Sequence, residues 1–183
     1  NSPPVPGHAG LAKGADPTNP RSYDAFKGSD YAPDRIHAAA IDFLRTNRDQ
    51  PFFLYYPSTI PHVALHVPDA DLRPYHDLGW ADPPFTRSRG GYTPHFTPRA
   101  AYAAMISRLD TDVGALLDTL EELGLADDTL ALFTRHNGTP HLRDAVDYDL
   151  FASVGALRGP HGSLYEAGTP GPRIAPCPRR LRP

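Results

Sequence analysis

The stretch Thr129-Leu-Ala-Leu-Phe-Thr-Arg-His-Asn-Gly138 decides how this chain is read. Thr129 to Thr134 is apolar and β-prone, with no Gly or Pro inside, so it reads as a short buried strand. Arg135, His136, Asn137 and Gly138 then arrive together. In open α/β sheets, ligands bind just beyond the carboxyl ends of strands. A His-Asn-Gly cluster at such an end is a candidate metal or anion site.

The segment before it is the clearest helix, residues 98–123. Thr97 suits the N-cap and Pro98 the first helical position. Tyr102, Met105, Ile106, Leu109, Val113, Leu116, Leu117, Leu120 and Leu123 keep one helical stripe, and Gly124 closes it. Arg108, Asp110, Asp112, Asp118, Glu121 and Glu122 read as its solvated face. A second helix is expected over residues 33–48, with Asp34 in its first turn and Ile36, Ala39, Ala40, Phe43 and Leu44 on one stripe. Pro51-Phe-Phe-Leu-Tyr-Tyr-Pro57 follows as a second buried strand, and its end delivers His62 and His66.

The order helix, strand, long loop, helix, strand predicts an α/β fold with crossover units and a mostly parallel sheet flanked by helices. Parallel strands put their carboxyl ends on one edge, so His62 and the His136–Asn137 pair are expected to meet over one crevice. Residues 67–97 read as a long irregular segment, bordering a substrate cleft or packed on the surface by Trp80 and Tyr75. Residues 1–30 read as an extended arm or loop. In Arg158-Gly-Pro-His-Gly-Ser163 and on to Gly168, three glycines let the backbone come close to a ligand. The text after Gly168 has little core-forming capacity and is expected not to pack.

Composition bounds the function. The 183 residues suffice for a sizeable core, and 40% are hydrophobic. Net charge is −3, so nucleic-acid binding has no electrostatic support. No apolar run approaches a membrane span. Cys177 is the single cysteine, so no intrachain disulfide forms and no redox compartment follows. Pro and Gly, 22 and 15, make up about a fifth of the chain and concentrate in the ends and the middle loop. The first residues, Asn1-Ser-Pro-Pro-Val-Pro6, show neither a basic n-region nor an apolar h-region.

Several blocks occur in an order that resembles the sulfatase family, arylsulfatase A-like members of the alkaline-phosphatase-like superfamily. They are Pro51-Phe-Phe-Leu-Tyr-Tyr-Pro57 with Ile60-Pro-His62; Ala101-Tyr-Ala-Ala-Met105 with Leu109-Asp and Val113-Gly; Leu123-Gly-Leu125 with Asp128-Thr-Leu and Phe133-Thr; Asn137-Gly; and Leu157-Arg-Gly with Gly162-Ser-Leu-Tyr-Glu-Ala-Gly168. The resemblance implies hydrolysis of a sulfate monoester, of an aryl sulfate or a sulfated sugar. It implies a calcium ion and a formylglycine made within a Cys/Ser-x-Pro-x-Arg motif. It implies that His62 touches the sulfate and the leaving-group oxygen, and that Asn137 ligates calcium. His136 stands where that metal motif has Asp, and His161 stands where the family has a sulfate-binding Lys. The formylglycine motif is absent, since Cys177-Pro-Arg-Arg180 has Cys and Pro adjacent. The expectation is thus an internal fragment, inactive alone, with residues 31–168 a partial sulfatase catalytic domain. Residues 169–183 form an irregular tail of the kind a frame slip produces. Parent enzymes of this type are often exported, and neither compartment nor oligomeric state follows from the residues.

Two other readings come from the residues alone. Imidazoles suit zinc or iron better than calcium, which allows a transition-metal hydrolase with His62, His136 and His141 as ligands. A non-catalytic remnant or binding module would keep the scaffold without the chemistry.

Overall fold

The computed structural model describes residues 10–62, 64–86, 92–134, 138, 145–147, 149–156, 158–159, 163, 165 and 173–174. The chain divides into two compact units. The first comprises residues 1–32, 59–109 and 142–147, and the second 33–58, 110–141 and 148–183.

In the first unit, the residues expected to form a loose arm include a 3-10 helix, Pro20–Phe26. Asn19 caps it by accepting the Arg21 N–H at 3.0 Å. Tyr23 and Phe26 are buried, and the Tyr23 ring lies 5.6 Å from Phe96. Two aromatic anchors within seven residues are what order this segment. Helix α2, Asp69–His76, falls in the segment read as irregular. Asp69 and Asp71 occupy its first turn and Arg73 and His76 its last, which complements the helix dipole. Leu72 is buried and Tyr75 stacks on Trp80, so the expected packing of those two aromatics is present. Lys27 binds Asp69 at 2.9 Å, and Arg108 pairs with Asp71. Arg108 is therefore held by an ion pair rather than left in a solvated face.

Helix α3, Pro98–Glu122, is the one expected from the stripe. Its N-terminus is capped from a distance. The Asp82 carboxylate accepts the N–H groups of Arg99 and Ala100 at 2.9 and 3.0 Å, while the Thr97 carbonyl accepts the first helical bond from Ala101. Burial raises the Asp82 pKa above its ordinary value, against the lowering effect of those two N–H groups. At the other end Leu125 N–H reaches the Leu120 carbonyl and Gly124 N–H the Glu121 carbonyl, with Gly124 at φ +70°. That is a Schellman motif, and it requires the left-handed residue that glycine supplies. Tyr102, Met105 and Leu120 of the stripe are buried, as are Ala101 and Ala104 outside it, whereas Ile106 and Leu117, expected on the stripe, are exposed.

In the second unit, α1, Ala32–Thr46, buries Ala40 and Leu44, and Phe43 meets Phe52 edge-on at 6.0 Å. Ala39, expected on the apolar stripe, is exposed. Asn47 ends the helix by donating its side-chain amide to the Phe43 carbonyl at 2.8 Å. Asp112, expected on a solvated face, is buried instead. Tyr56 donates its hydroxyl to Asp112 at 3.5 Å, and the His37 Nδ1 lies 3.9 Å from the same carboxylate. Burial first, then the Asp112 charge, pushes the Tyr56 pKa up to about 12.

Residues 51–58 form no helix and alternate strictly between half-buried and exposed positions, with Phe53 and Tyr55 outward. Residues 129–134 alternate likewise, with Leu130 and Leu132 outward. The period is that of strands. Yet among the described residues the only ladder is antiparallel: β1, Phe133–Thr134, pairs with β2, Arg173–Ile174, in the register Phe133↔Ile174 and Thr134↔Arg173. The mostly parallel sheet is therefore not formed among the described residues, because the two alternating segments have no ladder partner there apart from β2. The tail, expected not to pack, contributes that partner strand.

Candidate functional site

Of the four residues singled out for chemistry, only His62 lies among the described residues. His136, Asn137 and His161, and also His141, lie outside them, as does the crevice expected between His62 and the His136–Asn137 pair. Among the described residues no group of three or more His, Cys, Asp or Glu side chains is placed to hold a metal ion.

His62 follows the cis Ile60–Pro61 peptide and is exposed. Its ring lies 5.8 Å from the Tyr92 ring, tilted at 54°. Four residues on, His66 turns back into the protein. Its Nε2 lies 2.6 Å from Thr93 Oγ1, and its ring lies 6.0 Å edge-on from His95. His95 is fixed twice. Its backbone exchanges two hydrogen bonds of 2.9 Å with Phe85, and its Nδ1 accepts the Thr97 N–H at 3.1 Å.

An Nδ1 that accepts is unprotonated, so the neutral His95 ring carries its proton on Nε2. Burial, and after it the neighbouring His66, push the His95 pKa down to about 4. Burial also lowers the His66 pKa from 6.5. Both rings are therefore neutral near pH 7, and His62 is the most exposed of the three. The residues 92–95 were not legible as part of this cluster. The contacts of Tyr92 with His62, of Thr93 with His66 and of His95 with His66 join them.

Near the other glycine-rich block, Gly159 has φ +79°, and a Cβ there would meet Ser163 Oγ at 2.2 Å. This is the close backbone approach that the glycines of this block suggest. Ser163 Oγ is buried and has no hydrogen-bond partner among the described residues. Arg158 lies 4.7 Å over the Tyr165 ring.

Known proteins resemble this chain over most of its length. The Sulfatase family matches residues 9–175. Steryl-sulfatase of Mus musculus is 34% identical over 152 residues, which is 81% of this chain and 20% of that protein. N-acetylgalactosamine-6-O-sulfatase of Bacteroides thetaiotaomicron is 30% identical over 164 residues, 86% of this chain and 27% of that protein. The chain thus spans about a fifth to a quarter of the length of these relatives. Among solved structures, Ps i-CgsB in complex with k-i-k-neocarrahexaose superposes with a TM-score of 0.64 at 24% identity, covering 82% of this chain and 29% of that one. A second, from work on the metabolism of multiple glycosaminoglycans by Bacteroides thetaiotaomicron, gives 0.58 at 27% identity, covering 82% and 28%. The fold is accordingly the α/β fold of sulfatases, represented here in part.

Proposed function

Because the chain belongs to the sulfatase family, we infer that it is part of an enzyme that hydrolyses sulfate monoesters. The match over residues 9–175 carries this reading. A sulfated carbohydrate is the substrate class, supported by the N-acetylgalactosamine-6-O-sulfatase relative. In the whole protein, residues 51–57 and 129–134 are strands of a mostly parallel sheet, and 31–168 belong to the catalytic domain.

In this reading His62 gives a proton to the leaving-group oxygen as the ester bond breaks, a role for which an imidazole near neutral pH is suited. His161, when protonated, holds a sulfate oxygen. The buried Ser163 hydroxyl, nearby in sequence, has no hydrogen-bond partner among the described residues. Leaving such a group unpaired costs about 1–3 kcal/mol, which an anionic oxygen offsets. Sulfatases generally work with a metal ion, and calcium is the ion proposed for the parent enzyme. Calcium takes six to eight oxygen ligands. Asn137 offers one, and the His136 imidazole is a poor substitute for a carboxylate. The donors of this chain do not by themselves fit calcium, so no step is routed through the metal. The Cys/Ser-x-Pro-x-Arg sequence that would yield the nucleophile is not among these 183 residues, so the isolated chain is inactive.

The experiment is sulfate release from N-acetylgalactosamine 6-sulfate and from an aryl sulfate. It compares this chain with the complete protein encoded by the reading frame that contains it. The complete protein releases sulfate, and His62→Ala lowers the rate by about 100-fold or more. No release by the complete protein refutes the reading. Release by the 183-residue chain above its own His62→Ala control refutes the claim of inactivity.

A further inference from the structure

We propose that Thr93 and His66 are positioning residues for His62: the Thr93 hydroxyl anchors His66, and so holds the 60–66 turn with the His62 ring against Tyr92. The proposal rests on the reading of His62 as the proton donor.

His62 itself is exposed. Among the described residues, two contacts on this segment come from residues 92–95. Tyr92 lies beside the His62 ring at 5.8 Å, and one residue on, the Thr93 hydroxyl meets His66 Nε2 at 2.6 Å. Leu65, between the two histidines, is 1% exposed, so the turn is pinned into the core just before His66. The backbone of 92–95 is in turn tied by the two-way pairing of His95 with Phe85. Tyr92 and Thr93 are adjacent, so the anchor and the ring contact move together. Loss of the Thr93 hydroxyl frees the turn on both sides.

The chemistry requires this arrangement. An acid must lie within hydrogen-bond reach of the oxygen it protonates, and a displacement of about 1 Å can cost 100-fold in rate. A neutral His66 can bond the Thr93 hydroxyl with either nitrogen role, whereas the protonated ring has only donors left. The groups facing the pair are His95 on the same side, with Lys27 and Asp69 acting on His95.

The test is histidine side-chain NMR on the 183-residue chain, with His62 assigned by His62→Gln. Thr93→Val is expected to move the His62 ring nitrogens and its titration midpoint and to abolish the nuclear Overhauser contact between His62 and Tyr92. Thr93→Ser, which keeps the hydroxyl, is expected to restore all three. If Thr93→Val perturbs His66 and His95 while His62 and its contact to Tyr92 stay as in the native chain, the proposal is overturned. A measurement on the native chain guards against a variant that does not fold: at pH 7 the nuclear Overhauser contact between the His62 and Tyr92 rings is expected to be present, and its absence overturns the proposal. These readouts stand apart from sulfate release. An uncoupled His62 in an active sulfatase defeats the positioning role alone, and a coupled His62 in an inactive complete protein defeats the functional reading alone.

Discussion

Acidification from pH 7 to pH 4.5 should unfold this chain partly through one ring, His95. Its folded-state pKa of about 4, against an ordinary 6.5, means that the folded protein resists a proton the unfolded chain takes up. The contribution is fully present above pH 6.5 and is lost as pH falls toward 4. At about 1.4 kcal/mol per pH unit the complete loss is roughly 3 kcal/mol, most of it spent by pH 4.5. His95 is partly exposed, and solvent screening trims the figure to about 2 kcal/mol. Asp69 opposes the effect, while His66 and Lys27 reinforce it. His95→Asn removes the titration and keeps an acceptor near the Nδ1 position for the Thr97 N–H. Urea unfolding at half-unit intervals from pH 7 to 4.5, followed by circular dichroism, measures the difference. The native chain should lose about 2 kcal/mol more than the variant across that range. Parallel stability curves for the two proteins would show that His95 is not held neutral by the fold, and the argument would fail.

Two further outcomes follow from the same structure. Asp82→Ala should cost about 1–2 kcal/mol in urea unfolding at pH 7, because two N–H groups at the start of α3 lose their acceptor; an unchanged midpoint would mean that water or Thr97 caps the helix equally well. Gly159→Ala should destabilise by more than about 1 kcal/mol, since φ is +79° and the new Cβ meets Ser163 Oγ. Adding Ser163→Ala should recover only the steric share, and full recovery would show that the backbone conformation costs nothing.

What could be read in advance followed the range of the interaction. Helix α3 was legible because its stripe and its Gly124 stop are written within 27 neighbouring residues, and the Schellman bonds at Leu125 and Gly124 confirm that stop. Its N-cap was only half legible. Thr97 sits where a capping residue belongs, but the carboxylate that does the work is Asp82, brought back by the fold. Helix α2 had local signals that the surrounding Pro and Gly obscured: acids at 69 and 71, Leu72 and Tyr75 at helical spacing, and basic residues at 73 and 76. Asp112 was misplaced for a different reason. Periodicity ranks side chains by polarity and cannot see that Tyr56, 56 residues earlier, offers a buried carboxylate a donor. The alternation of 51–58 and 129–134 has the period of strands, but among the described residues only Phe133–Thr134 joins a ladder, since pairing depends on which backbone lies alongside.

The candidate site divides in the same way. His62 is singled out by the Pro-His block and the family resemblance, whereas His66 is only a second histidine beyond the strand end until Thr93, 27 residues away, is found against it. A hydroxyl and an imidazole leave no periodic trace in a sequence. The physical consequence is that the residues that name a reaction and those that aim its groups are legible by different means. The first recur as short motifs because the chemistry demands a residue type. The second need only a donor, an acceptor and a fixed backbone. Here the fixed backbone is the Phe85–His95 pairing, and on the proposed reading that two-residue bridge, rather than either strand end, sets how accurately His62 is aimed.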